Sequence, residues 1–316
     1  MEKVNPDIYI HAPVALGYPY TLQSTPPNTE ADRFEQAITD SVQALCGQQL
    51  RQASRFIRLA AAGALSCAQM AALPATSGVY LATGLGDQSS GARLFAQTRA
   101  STGRVSPFDF VNVNNNTATY SIARLAGLAG PNLTISQGAL SFEWALRLAL
   151  TEIKGGLSHA LVGGVDEKAP TPQERARRFH LEDEQRPGEG SGWLVLTTER
   201  ERAHSRFLGM RWFATSQTAD WQRLRDYCAE LAGTRILHLL AGLRVPKTRV
   251  ATLIQTLPHT VLRCYLTHCG YYPTAAAFGI AQGVQESQST PGLWAHISNS
   301  GRGQTVLTLW EALGGN

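Results

Sequence analysis

The chain of 316 residues is 43% hydrophobic and 16% charged, enough apolar material for a substantial core and too ordered a composition for a disordered tail. Its 28 basic and 24 acidic residues leave a formal charge of +4 without dense Lys/Arg blocks, which argues against a nucleic-acid binder. No stretch approaches the roughly 18–20 apolar residues that cross a bilayer, so no membrane span is expected. The opening MEKVNPDIYI lacks the basic-then-apolar layout of a secretory signal. A soluble, globular, cytoplasmic protein is the expectation.

In chain order, Asp7–Leu16 (DIYIHAPVAL) reads as a first strand, rich in β-branched and aromatic residues before a Gly-Tyr-Pro break. The Ala- and Leu-rich stretch Arg55–Ala72 reads as a helix, with Gly63 tolerated best where something packs tightly against it. Gly78–Ala82 is a buried strand running into a glycine loop. Helix Asn116–Ala129, strand Asn132–Ser136, helix Ser141–Lys154 and strand His159–Val165 follow. A charged passage, Asp166–Pro187, reads as a solvated excursion. Strand Trp193–Thr198 sits behind GEGSG. The second half reads as helix Trp221–Ala232, strand Arg235–Leu240, helix Thr248–Leu257, strand Val261–Thr267, helix Thr274–Gln285, then strands Leu293–Ser298 and Gln304–Trp310. Strands alternating with helices predict a layered α/β fold with buried sheets. No linker divides it, so residues 1–316 are expected to form one body.

Common chemical signatures are missing. The five cysteines, Cys46, Cys67, Cys228, Cys264 and Cys269, form no CxxC, and Cys264, His268 and Cys269 supply too few ligands for a metal site. No metal or cofactor is expected. GLGDQSSG (Gly84–Gly91) follows a strand but satisfies neither GxGxxG nor the Walker pattern, and its Lys is absent. GEGSG (Gly188–Gly192) places its Ser one position off a nucleophile elbow.

Four passages occur in a fixed order: Ser106–Ser136 (SPFDFVNVNNNTATYSIARLAGLAGPNLTIS), Ala160–Glu167 (ALVGGVDE), Gly188–Arg206 (GEGSGWLVLTTERERAHSR) and Trp294–Trp310 (WAHISNSGRGQTVLTLW). In that order the chain resembles the β-ketoacyl synthases of the thiolase-like superfamily. The resemblance is strong in the first half and thin between Phe207 and Tyr265. It implies a layered αβαβα fold of two related halves, about 1–206 and 207–316, with the second shortened. It also implies a pair of chains packed through the strand before the nucleophile position.

The departures bear on function. An active synthase of this family carries a Cys at a helix N-terminus, where the dipole favours its thiolate. By the family's spacing from Gly130-Pro131 that position is Ala139, within SQGAL. The two family histidines are matched by Ala241, in ILHLLAGLR, and Tyr271, in GYYPTAAAFG. The pattern is similar to chain-length factors, silent subunits that pair as heterodimers with an active ketosynthase, and most of all to the small ketosynthase-like partner of bacterial aryl polyene biosynthesis. That resemblance implies a role in walling the acyl tunnel, with Asn114, Asn116, Thr117, Tyr120, Gln137 and Phe142 as tunnel or interface residues. Acyl carrier protein is the implied second partner. Arg51, Arg55 and Arg58, at i, i+4, i+7, are candidates for docking it, as is the cluster Arg175, Arg177 and Arg178, although solvated faces explain both. Two other readings stand beside this one. A decarboxylase-type synthase would use the Gln137 amide to polarise a thioester carbonyl, and a self-associating structural homologue would bind no acyl group.

Overall fold

The computed structural model describes residues 6–19, 29–100, 104–168, 181–182, 185–215 and 218–313. Strand β1 (Ile8–Pro19) is followed by helices α1 (Thr29–Cys46) and α2 (Arg55–Ala71). Ser54 starts α2 by accepting the Ile57 N–H, and Ala72 ends it in the left-handed conformation. Strand β2 (Gly78–Ala82) then leads through a loop to α3 (Gln88–Arg99), α4 (Pro107–Asn112) and α5 (Asn116–Leu125). The half closes with β3 (Asn132–Ile135), a short 3-10 turn at Gly138–Leu140, α6 (Ser141–Lys154), β4 (His159–Asp166) and β5 (Gly188–Thr197).

The second half retraces this plan: β6 (Ser205–Ala214), α7 (Thr218–Ala232), β7 (Leu237–Ala241), α8 (Lys247–Thr256), β8 (Thr260–Arg263), α9 (Leu266–Cys269), α10 (Ala275–Ser287), β9 (Leu293–Asn299) and β10 (Gln304–Ala312). The ten strands run in the order β3-β2-β4-β5-β1-β6-β10-β9-β7-β8. Within the first half β3, β2 and β4 are parallel while β5 and β1 are antiparallel. The second half repeats the pattern with β8, β7 and β9 parallel and β10 and β6 antiparallel. The two halves are thus related, meet where β1 pairs with β6, and leave β3 and β8 as the two sheet edges.

Three apolar clusters fill the layers. Helices α1, α2 and α5 cover the outer face of the first half, and α7 and α8 cover that of the second. Between the halves lie α6 and α10, packed with both sets of strands around Phe142, Tyr265, Tyr272 and Phe278. This is the αβαβα arrangement.

Several glycines record how tightly these layers approach. A Cβ on Gly63 of α2 would stand 2.6 Å from both Ser191 Oγ and Trp193 Cδ1, and one on Gly163 of β4 only 2.1 Å from the same indole. Trp193 is therefore seated on two glycines. The GEGSG run is not a loop ahead of a strand but the first half of β5. Its glycines serve close packing, since a Cβ at Gly188 would lie 1.9 Å from Cys269 O and one at Gly192 2.4 Å from the Ala277 backbone.

Other boundaries also depart from expectation. Helix α5 stops at Leu125, and the expected strand 261–267 is a four-residue β8 followed by the short helix α9. Helix α1 and strand β6 were not anticipated at all.

Candidate functional site

The position that the family resemblance assigns to the nucleophile lies in the turn from β3 into α6. Gly138 takes φ +62, a conformation Gly adopts without strain, and so delivers Ala139 to the start of the helix. Ser141 anchors the turn: its hydroxyl accepts the Gln137 N–H at 2.8 Å and lies 2.8 Å from Gly138 O and 3.0 Å from Thr83 O. Ala139 is half-buried, while Gln137 is exposed. Position 139 itself carries no thiol, imidazole or hydroxyl.

Ala241 and Tyr271 come together on one cavity of about 840 Å³, which is also lined by Gly242, Leu243, Arg244 and Arg302. Ala139 is not among its lining residues. Behind its wall runs a buried polar chain that sequence reasoning missed. Ser298 Oγ is hydrogen-bonded to Glu143 Oε1 and lies 3.2 Å from His296 Nδ1, and His296 Nε2 lies 2.9 Å from the Tyr265 hydroxyl. All four side chains are buried. Burial pushes His296 down to about 3, keeping it neutral, and pushes the Glu143 carboxyl up to about 7. Gly242 forms the partition: a Cβ there would stand 3.1 Å from His296 Cε1. The only sequence signal for this chain was an unremarked His two residues before SNS.

The glycine loop Gly84–Gly91 has already spent its amides. Gly84 N–H and Leu85 N–H donate to Asp166 Oδ1 at 2.9 Å, as does the Thr83 hydroxyl. Thr274 N–H and its hydroxyl reach Asp166 Oδ2 at 3.0 and 2.8 Å. Ser89 N–H donates to Glu167 and Ser90 N–H to Asp87. The amides of Gly84 and Leu85 are thus directed at a carboxylate of the protein itself.

The basic stripe does not form as its spacing suggested. Helix α2 begins only at Arg55, so Arg51 lies in the preceding turn and the three residues do not share a helical face. Arg55 is turned inward: it grips Glu189 with two N–H···O bonds of 2.5 and 2.6 Å and donates to Glu35 at 2.7 Å. Burial alone raises the Glu189 carboxyl, but a bidentate guanidinium stabilises the ionised form and gives a charged pair. Arg58 is half-buried. Arg175, Arg177 and Arg178 lie outside the described residues.

Asn114, Asn116 and Tyr120 are exposed on the α4–α5 corner, and Thr117 is half-buried with its hydroxyl on Val111 O. Phe142 instead sits in the central core. Phe108, Phe110 and Val111 of α4, Tyr120 of α5 and Leu133 of β3 are all exposed, Phe110 by 66% and Tyr120 by 58%. Hydroxyls of Thr119 and Thr134 tie α5 to β3. Strand β3 pairs only with β2, so its outer edge carries no strand among the described residues. No group of three His, Cys, Asp or Glu among the described residues is placed to hold a metal ion, and no described helix is long and apolar enough to cross a membrane.

The two matching halves, the central helices α6 and α10 and the helix-start seat at Ala139 define the ketosynthase fold of the thiolase-like type. No protein-family model and no curated protein matches the chain by sequence. By structure it is similar to the ishigamide ketosynthase/chain length factor, with a TM-score of 0.74 at 15% identity over 98% of this chain and 100% of that one. A β-ketoacyl synthase from Burkholderia phymatum STM815 gives 0.73 at 12% identity, again over 98% and 100% of the two chains. A type II PKS acyl-carrier protein in complex with its ketosynthase bound to the hexaketide (AntDE with AntF) gives 0.72 at 13% identity, with the same coverage.

Proposed function

We propose that this chain is a catalytically silent ketosynthase-like subunit, a chain-length factor, that pairs with an active β-ketoacyl synthase and helps wall its acyl tunnel. The observation that carries the reading is the coincidence of two features. The turn holding Ala139, the position the resemblance assigns to the nucleophile, follows an edge strand, β3, and Leu133 of that strand and Phe108, Phe110, Val111 and Tyr120 of the preceding helices are exposed. Exposed apolar surface of this kind marks an interaction site. An edge strand with free backbone groups is completed by another chain's strand.

The related halves and the fold shared with a ketosynthase/chain length factor support the same assignment. In it, the partner supplies the thiolate and the histidines. Asn114, Asn116 and Tyr120 lie at the joint surface, and Phe142 acts as a core brace rather than a tunnel wall. Acyl carrier protein would serve the pair by docking chiefly on the active partner, and the growing chain would be an aryl polyene or a related polyketide.

The test is co-expression with a ketosynthase encoded beside this gene, followed by size exclusion with mass determination. A one-to-one heterodimer whose elongation stops when only the partner's Cys is mutated supports the proposal. A homodimer that releases carbon dioxide from malonyl carrier protein, and loses that activity in Gln137→Ala, overturns it.

A further inference from the structure

We infer that the pocket of three histidines beneath the β5–β6 turn is an acid-operated latch, which loosens the joint between the two halves as pH falls. The inference concerns this chain alone and stands whether or not it pairs with a synthase. Residues 198–204 are the covalent passage from the last strand of the first half to the first strand of the second. They close over a cavity of about 280 Å³ lined by His11 of β1, His159 of β4 and His204 of the turn itself. Helix α2 adds Met70 and Ala71, neither of them charged. The other charged groups lining it among the described residues are Glu199, Glu201 and Arg202, all of the turn and all exposed.

The turn is held down through these histidines. His11 Nε2 lies 2.8 Å from Glu199 O, and a carbonyl only accepts, so Nε2 carries the proton. His204 N–H donates to Ile10 O at 2.8 Å, and its own carbonyl accepts from the Gln288 amide. His159 Nε2 stands 3.6 Å from Glu199 Oε2. Arg202 takes φ +61, a left-handed conformation that a residue with a Cβ adopts at a cost, so the contacts of the turn keep it in place.

Acid works against this arrangement. The Nδ1 atoms of His159 and His204 are buried without a hydrogen-bond partner among the described residues. Once a ring is charged both its nitrogens are donors, so each Nδ1 becomes a buried N–H without an acceptor. Burial above all holds His11 and His204 below the free-imidazole value. His159 adds to this for His11, and His11 for His204, while the Glu199 carbonyl and carboxylate oppose it at His11. Groups depressed in this way stabilise the closed turn above a pH of about 6.5 and cease to do so as pH falls below it. Imidazolium rings sharing one pocket also repel, with only the solvent-exposed carboxylates of Glu199 and Glu201 to offset them. An opened turn takes up the protons freely.

The experiment is hydrogen–deuterium exchange of the full-length chain at about pH 7.5 and about pH 5.5, on either side of the imidazole range. Rates are corrected for intrinsic exchange and read on peptides covering 8–12, 198–207, β7 and β9. Protection in 8–12 and 198–207 should fall about tenfold or more in acid, the equivalent of one pK unit, while β7 and β9 keep theirs. His159→Gln combined with His204→Gln removes both orphaned rings and should restore most of the protection lost in acid. Glu199→Gln keeps the carbonyl that holds His11 but removes the carboxylate facing His159, so it should move the midpoint of opening to higher pH. A merely structural role predicts equal loosening at both pH values. The parent profile and Glu199→Gln decide the question even where the double variant does not fold. The inference is overturned if protection over 198–207 is the same at both pH values, or if β7 and β9 lose theirs with it. It is equally overturned if the folded double variant opens as the parent does, or if Glu199→Gln leaves the midpoint in place or lowers it.

Discussion

Phe110→Ala offers the sharpest test of the pairing surface, because the residue is 66% exposed and its removal should cost the isolated chain little. An aromatic side chain carries about 150–250 Å² of surface, so about 100–160 Å² of Phe110 is left for a partner to cover. At about 25 cal/mol per Å² this is about 2.5–4 kcal/mol of gross apolar burial. Immobilisation and imperfect packing reduce what binding retains, leaving about 1–2 kcal/mol, or roughly a 5- to 30-fold rise in Kd. The assay is titration of the variant against the partner synthase by calorimetry, with the urea midpoint of the isolated chain as control. A Kd within twofold of the parent, with an unchanged midpoint, would refute the assignment of this face.

Two perturbations test the packing and the electrostatics. Gly63→Ala places a methyl 2.6 Å from Ser191 Oγ and Trp193 Cδ1, and overpacking of this kind should cost about 1–3 kcal/mol; an unchanged urea midpoint would show that Trp193 yields freely. Arg55→Ala leaves Glu189 buried without its fork, a loss of about 3–5 kcal/mol in comparable pairs, and Glu189→Gln in the same chain should recover part of it, whereas additive losses would show that the pair is not coupled.

The buried histidines and Glu143 predict a pH dependence of defined sign. His11, His204, His238 and His296 all have folded pKa values lowered chiefly by burial, so their contribution is complete above the free-imidazole value of about 6.5 and fades as pH falls below it, for His296 down to about 3. The raised Glu143 carboxyl acts in the opposite sense, its cost growing from pH 4.5 to about 7. Glu143→Gln should therefore raise the urea midpoint more at pH 8 than at pH 5, and equal shifts would contradict the raised pKa.

The first half of the fold was legible because its signals are local. Ala-rich α2, the apolar run Gly78–Ala82 and the stretch Ser141–Lys154 each carry their own periodicity, and the structure places these elements at 55–71, 78–82 and 141–154. The second half was less so. Strand β6 has a half-exposed, irregular pattern with Gly209 in its middle and does not rise above the background of loops, while β8, expected over 261–267, is only the four residues Thr260–Arg263. The start of α6 at Ser141 could be read from its own apolar spacing. The inward turn of Arg55 could not, because Glu189 lies 134 residues away. His296 and Glu143, 153 positions apart, were equally invisible as neighbours until the layers closed.

Asp166 has a consequence for how this body is put together. It belongs to the last strand but one of the first half, yet its Oδ2 accepts from the N–H and hydroxyl of Thr274, at the threshold of α10, while Oδ1 gathers the loop after β2. A first half made alone would lose the two donors that Thr274 supplies and would lack the helix that lies across β1, β4 and β5. The two halves repeat one another in plan but are not spare copies. Each leaves open a space that only the other's chain can fill, so assembly has to wait for the late segment 274–287. Slow loop closure over that separation is the expected bottleneck in folding.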